Sequence, residues 1–63
     1  MSATAELSSL AATIEEVARR AALIADDYAA ADRDDLVAEL HEVERSLGAA
    51  VRRLTRLQSA PGA

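Results

Sequence analysis

The apolar residues of this chain are arranged symmetrically about Asp32. Seven pairs lie equally far from Asp32 on either side: Leu7 and Leu57, Leu10 and Leu54, Ile14 and Ala50, Val17 and Leu47, Ala21 and Val43, Ile24 and Leu40, Tyr28 and Leu36. If the chain folds back on itself near Asp32, the two members of each pair fall in the same layer. The symmetry therefore predicts an antiparallel helical hairpin with seven core layers.

Each half of the chain also carries the apolar spacing of an amphipathic helix. Apolar residues recur in alternating steps of three and four, which is the spacing of the a and d positions of a heptad. In the first half, the a positions are 7, 14, 21 and 28 and the d positions are 10, 17, 24 and 31. In the second half, the a positions are 40, 47 and 54 and the d positions are 36, 43, 50 and 57. The spacing predicts an all-α fold with helices over about 4–31 and 33–58. We expect the hairpin to occupy 1–58 and a flexible C-terminal tail to occupy 59–63, where Pro61 and Gly62 end the helical pattern.

The two apolar stripes are out of phase, so the chain should turn between them. If the first stripe continued, Asp35 and Glu42 would occupy a positions, and one straight helix would turn its apolar seam away from any partner. We expect Asp32 to be the N-cap of the second helix, since aspartate accepts hydrogen bonds from free backbone amides. No glycine marks the end of the first helix, which leaves a continuous, locally unwound helix as the alternative.

The size and composition of the chain indicate that it needs a second chain for stability. A core built from 63 residues leaves only a few kcal/mol of net stability, and without cysteine no disulfide can add to it. The lack of cysteine also favours a cytoplasmic location. No apolar run is long enough to span a membrane, and no basic segment precedes an apolar core near the first residue. We therefore expect a protein that does not contact a membrane.

The two flanks of the predicted seam differ in polarity. The g positions on one flank are mainly polar, whereas the e positions on the other are mainly apolar and need a cover. We predict that a second copy covers this e edge and completes a four-helix bundle, and the alternatives are a different helical partner, a higher oligomer or a lone hairpin. The predicted dimer interface consists of Ala11, Ala18, Ala25, Val37, Glu44 and Val51.

Charge is distributed unevenly between the two ends of the predicted hairpin. We call the aspartates around the reversal the acidic turn; they are Asp26, Asp27, Asp32, Asp34 and Asp35. We call the basic residues near the C-terminus the arginine end; they are Arg52, Arg53 and Arg56. Since opposite charges attract, two hairpins should pack with their turns at opposite ends. The predicted assembly is therefore an antiparallel dimer.

This layout resembles the ROP family of plasmid RNA-binding proteins, which are short helical hairpins that dimerise into antiparallel four-helix bundles. The stretch Glu39-Leu40-His41-Glu42 is similar to the second helix of that family. The resemblance implies the bundle architecture. It does not extend to the RNA-binding face, for which that family uses an aromatic residue, amides and lysines on helix one. Our first helix has none of the corresponding phenylalanine, lysine or amide residues.

Few residues offer site chemistry. His41, the one histidine, occupies an outer b position, and position 38 lacks the glutamate that a bundle metal site would use. The acidic turn is not a calcium loop, because Val37 and Val43 stand where such a loop needs glycine and glutamate. We expect no metal, no cofactor and no catalytic residue. Candidate contacts to a partner or a phosphate group are Leu23 and the arginine end.

Glu44 is the one charged residue on the otherwise apolar e edge. Either its carboxylate reaches water at the margin of the bundle, or it is a polar device that fixes register or partner choice. Leu23 and Gly48 interrupt the outer surface and are expected either to be ordinary surface residues or to mark a docking surface.

The sequence predicts a non-enzymatic helical-hairpin interaction module, a homodimeric adaptor or regulatory protein that binds another protein. One alternative is a ROP-like nucleic-acid-binding regulator that uses the arginine end, although a net charge of −4 disfavours general nucleic-acid binding. The other alternative is a purely structural oligomerisation element.

Overall fold

The protein folds as two long antiparallel helices joined by a tight turn. A computed structural model describes residues 2–61, with α1 over Ala3–Ala30 and α2 over Asp34–Ser59. The helical hairpin predicted from the sequence is confirmed, and a continuous helix is excluded. Ser59 belongs to α2 rather than to the predicted tail, while Met1, Gly62 and Ala63 lie outside the described residues.

The start of α1 is fixed by a side-chain cap. The Ser2 hydroxyl oxygen accepts a hydrogen bond from the Ala5 backbone amide at 3.2 Å, which satisfies one of the free amides of the first turn. Glu6 adds a negative charge in this turn, where the helix dipole favours it. Ser2 is therefore the N-cap of α1.

The turn works without glycine because Asp32 adopts a left-handed conformation, with φ of 57°. The Asp32 amide donates to the carbonyl oxygen of Ala29 at 3.2 Å, and the Arg33 amide donates to that of Tyr28 at 2.9 Å. These two hydrogen bonds form a Schellman motif, in which aspartate can take the place that glycine usually holds. The prediction that Asp32 caps α2 is therefore wrong. Arg33 is the N-cap, and its side chain makes no capping hydrogen bond.

The seam between the helices runs along the a and e positions, not the a and d positions. In α1 the a residues and the e-position alanines Ala11, Ala18 and Ala25 are buried or half-buried. In contrast, Leu10, Val17 and Ile24 at d positions are 44 to 52% exposed. Five of the seven mirrored pairs have one exposed member, and that member is always at a d position. Of the seven predicted core layers, only two therefore have both members shielded from solvent in the single hairpin. Alanines at the e positions of α1 explain the shift, since small side chains let α2 approach closely along that edge.

The hairpin has very little fully enclosed core. Within residues 2–61 the buried residues are Ala11, Ala21 and Ala25, at 4 to 8% exposure, and no large side chain is completely buried. The radius of gyration is 14.7 Å, compared with about 11 Å for a compact domain of this length. The accessible surface is 4649 Å², whereas a compact folded monomer of this mass exposes roughly 3,900 Å². Much apolar surface that a core would enclose is thus left open.

The left-handed residue at the turn gives a first prediction. The Asp32→Gly variant should be about 0.5–1 kcal/mol more stable than the Asp32→Asn variant, because glycine has no Cβ to strain at this φ. Asp32→Val should destabilise it, since a β-branched residue resists positive φ. Thermal unfolding followed by far-ultraviolet circular dichroism at one fixed protein concentration measures both effects. Equal midpoints for the glycine and valine variants would contradict the turn geometry.

Gly48 gives a second prediction, because it lies inside α2. A Cβ placed there would meet only the Nη1 atom of Arg52, at an ordinary contact distance of 3.5 Å. Gly48→Ala should therefore stabilise the protein by about 0.5–1 kcal/mol through helix propensity alone. Chemical denaturation measures the change, with Ala49→Gly as the reverse control. A Gly48→Ala variant less stable than the natural chain would mean that a partner contacts this position closely.

Candidate functional site

The main candidate surface is a stripe of exposed apolar side chains along one broad side of the hairpin. We call it the apolar face and define it by five d residues that are 44 to 52% exposed; they are Leu10, Val17, Ile24, Val43 and Leu57. Successive residues of a helix are rotated by about 100°, so each d position lies roughly 80° from the centre of the a/e seam. In an antiparallel pair this rotation brings the d residues of both helices to the same side. The apolar face is therefore continuous across α1 and α2.

The residues predicted to form the dimer interface line the seam between α1 and α2, not the apolar face. Ala11 and Ala25 are buried inside the single hairpin, and Ala18, Val37, Glu44 and Val51 are half-buried along the same seam. The expectation that the e edge is open is therefore wrong for Ala11 and Ala25, which a second chain cannot reach while the hairpin is closed. The signal that the sequence did offer was the small size of the e residues in α1, which favours close helix approach.

Glu44 places a carboxylate oxygen in the seam. Its Oε2 atom is shielded from solvent and has no hydrogen-bond partner, although the residue as a whole is only half-buried. If the carboxylate extended fully into water, both of its oxygens would be exposed to solvent. A polar atom without a partner weakens the packing of α1 against α2. We therefore expect Glu44 to oppose the packing of the closed hairpin.

The acidic turn carries most of its charge without local compensation. Arg33 binds Asp35 through two hydrogen bonds, Nε to Oδ1 at 3.3 Å and Nη2 to Oδ2 at 3.2 Å. This guanidinium lowers the pKa of Asp35 below 3.8, and the Leu36 backbone amide adds to the shift. The pair stabilises the turn above pH 3.8, and this contribution is lost as the pH falls through the lowered pKa. In the described hairpin, Asp35 is the one aspartate of the acidic turn with an ion pair.

The arginine end borders the apolar face at the opposite end of the molecule. Arg53 and Arg56 line a shallow depression together with the exposed Leu57, while Arg52 lines another with Val51 and Thr55. Both depressions are formed by α2 alone, so neither is an enclosed ligand pocket. The ion pairs within residues 2–61 are Arg19 with Glu16, Arg33 with Asp35 and Arg45 with Glu42. The arginine end therefore has no carboxylate partner within the described hairpin.

The remaining candidates are dispersed. Leu23 is 65% exposed on α1, and at about 1.5 Å per residue it lies roughly 10 Å along the hairpin from Gly48, so the two do not form one surface. His41 is exposed. Over the described part of the chain, no group of three or more histidine, aspartate or glutamate side chains is arranged to hold a metal ion. In the same residues, neither helix combines the length and hydrophobicity that crossing a membrane requires.

Comparison of the chain with protein-family models, with curated proteins and with solved structures finds no match. The candidate surfaces are therefore interpreted from their own geometry and charge.

The unpartnered oxygen of Glu44 gives a third prediction. Glu44→Leu should stabilise the hairpin by about 1 kcal/mol or more, because an apolar side chain of similar size removes an unsatisfied polar atom from the seam. Glu44→Gln is the matched control, since it keeps a polar group there and should change stability little. Denaturant unfolding measures both variants, and sedimentation equilibrium on the same samples reports their oligomeric state. If Glu44→Leu and Glu44→Ala each form a mixture of oligomeric states, Glu44 is a polar residue that fixes register or partner choice.

Proposed function

We propose that this chain is a non-enzymatic interaction module that works as a homodimer, in which two hairpins join their apolar faces to form a four-helix bundle. The single observation that carries the proposal is the continuous apolar face. Its side chains are large and about half exposed in the isolated hairpin, and water contact with them is unfavourable. A second copy offers an identical face, and a twofold interface needs a self-complementary surface of this kind.

The size of the exposed surface is consistent with a dimer interface. The chain exposes 4649 Å², which is roughly 750 Å² more than a compact monomer of its mass would expose. A stable interface of standard size buries about 800 Å² on each partner. Joining two apolar faces would therefore bring each chain close to the surface expected of a folded protein. The large d side chains would then supply the core that three buried alanines cannot.

We further propose that the dimer acts as a cytoplasmic adaptor or regulator that binds another protein. The bundle would leave Leu23 and the outer sides of both helices accessible, and these are the contacts that we assign to that partner. A purely structural oligomerisation element would use the same apolar face without a second protein. Recovery of one protein in stoichiometric amount with the tagged dimer, and its loss in Leu23→Ala, would support the adaptor role.

The dimer is the subject of our fourth prediction. Sedimentation equilibrium should give twice the chain mass of 6.6 kDa for the natural protein. Val17→Glu should dissociate it, because Val17 lies midway along the apolar face and its charge would be buried there without a partner. Ala12→Glu is the matched control; it adds the same charge to the same helix at an outward f position and should leave the mass unchanged.

The outcome for the natural chain decides the proposal independently of the variants. A monomeric mass at concentrations where circular dichroism shows full helicity would overturn the homodimer. Val17→Glu can also lose its helicity when it loses the dimer mass. This result still supports the same interface if Ala12→Glu keeps both its helicity and its dimer mass.

Nucleic-acid binding through the arginine end is the second candidate, since its three guanidinium groups lack carboxylate partners. The net charge of −4 and the acidic turn oppose it, because nonspecific binding depends on neutralising phosphates. Fluorescence anisotropy with labelled RNA and DNA duplexes tests it. We expect no binding at physiological salt. Salt-dependent binding that disappears in R52A/R53A/R56A would favour the nucleic-acid-binding regulator instead.

A further inference from the structure

The two charged ends of the hairpin cannot neutralise each other within one molecule. The acidic turn and the arginine end lie at opposite ends of a hairpin whose longest dimension is 48 Å. At physiological ionic strength, charges separated by more than about 8 Å are largely screened from one another. Four aspartates of the turn and all three arginines of the other end therefore remain without an ion pair in the described chain.

Members of each charged group lie beside the apolar face. Arg53 and Arg56 line the same depression as Leu57, the last exposed d residue of α2. Asp27 occupies the g position next to the d stripe of α1, and Asp34 and Asp35 form the first turn of α2. A chain seated on the apolar face is therefore flanked by negative charge at one end and by positive charge at the other.

We propose that the second copy lies antiparallel on the apolar face, so that the acidic turn of each copy is held against the arginine end of the other. This inference rests on the homodimer proposed above and specifies its orientation. The parallel arrangement would gather ten aspartates at one end and six arginines at the other, and such like-charge crowding is unfavourable. The antiparallel arrangement replaces both repulsions with attractions.

The register of the antiparallel dimer follows from the symmetry of the hairpin. Val17 and Leu47 are equally far from Asp32, and they lie near the middle of α1 and α2 respectively. A twofold axis at this level places Arg53 of one copy within about one helical turn of Glu39 of the other. Arg56 then lies within about one helical turn of Asp34 and Asp35, which begin the neighbouring α2. Arg53 and Arg56 thus gain carboxylate neighbours that a single hairpin does not provide.

The fifth prediction uses distances between spin labels, because the chain has no cysteine and single ones can be introduced. Ser59→Cys and Arg45→Cys both lie at exposed f positions of α2, one at its end and one near its middle. At about 1.5 Å per residue, the two Ser59→Cys labels of an antiparallel dimer are offset by roughly 36 Å along the bundle, whereas the two Arg45→Cys labels are offset by about 6 Å. Double electron–electron resonance should therefore give a Ser59→Cys distance at least 10 Å longer than the Arg45→Cys distance.

The three possible results separate the orientation from the dimer itself. A longer distance for Ser59→Cys supports the antiparallel arrangement. Equal distances for the two labels would overturn the orientation and leave the homodimer intact. No dipolar coupling for either label, at concentrations where the chain is helical, would overturn the homodimer and with it this inference.

Charge reversal provides an independent test whose sign depends on the orientation. R53E/R56E should weaken the dimer about tenfold or more at low salt if each arginine end meets an acidic turn, because attraction becomes repulsion. Reversing Asp27 and Asp34 to arginine in the same chain should restore part of the affinity, and neither change affects the left-handed residue of the turn. The control R19E/R45E makes the same change in net charge near the middle of the hairpin. Tighter association of R53E/R56E, or of the natural chain as salt is raised, would overturn the antiparallel arrangement.

Discussion

The close contact between α1 and α2 along their a and e positions determines the rest of this structure. Alanines at e positions of α1 let the helices approach on that edge, and two of the three buried residues, Ala11 and Ala25, lie there. Because the seam is rotated away from the d positions, the large d side chains of both helices turn to one side. The same packing that joins the helices thus creates a one-sided apolar surface.

This arrangement explains why so small a chain exposes so much apolar surface. A hairpin of two helices can bury only one edge of each helix, and here that edge carries mostly small residues on α1. Five large apolar side chains at d positions remain about half exposed. The isolated hairpin is therefore a single layer with an apolar face open to solvent, and covering that face would be energetically favourable. Our proposal of a second copy follows from this exposed face, because a copy of the same chain would cover it with an identical apolar surface.

Charge adds direction to a surface that apolar contact alone leaves ambiguous. Apolar side chains pack with little regard to which way a partner helix runs, whereas the ends of the hairpin differ in sign. The Arg33–Asp35 pair is local to the turn, and the other aspartates of the turn are uncompensated within the described chain. The ends can therefore select an orientation even if each exposed charge contributes little to stability.

The sequence by itself determined the helices, their approximate bounds and the reversal near Asp32, because the apolar period and the phase break between the stripes are local properties of the chain. It did not determine the role of Asp32, which only the backbone conformation of the turn revealed. It also did not determine which residues form the seam, since a, d and e positions are all apolar in α1 and differ mainly in size. Only packing of the two helices in three dimensions distinguishes them: the alanine edge permits the closest approach, and the larger d residues are left on the open face.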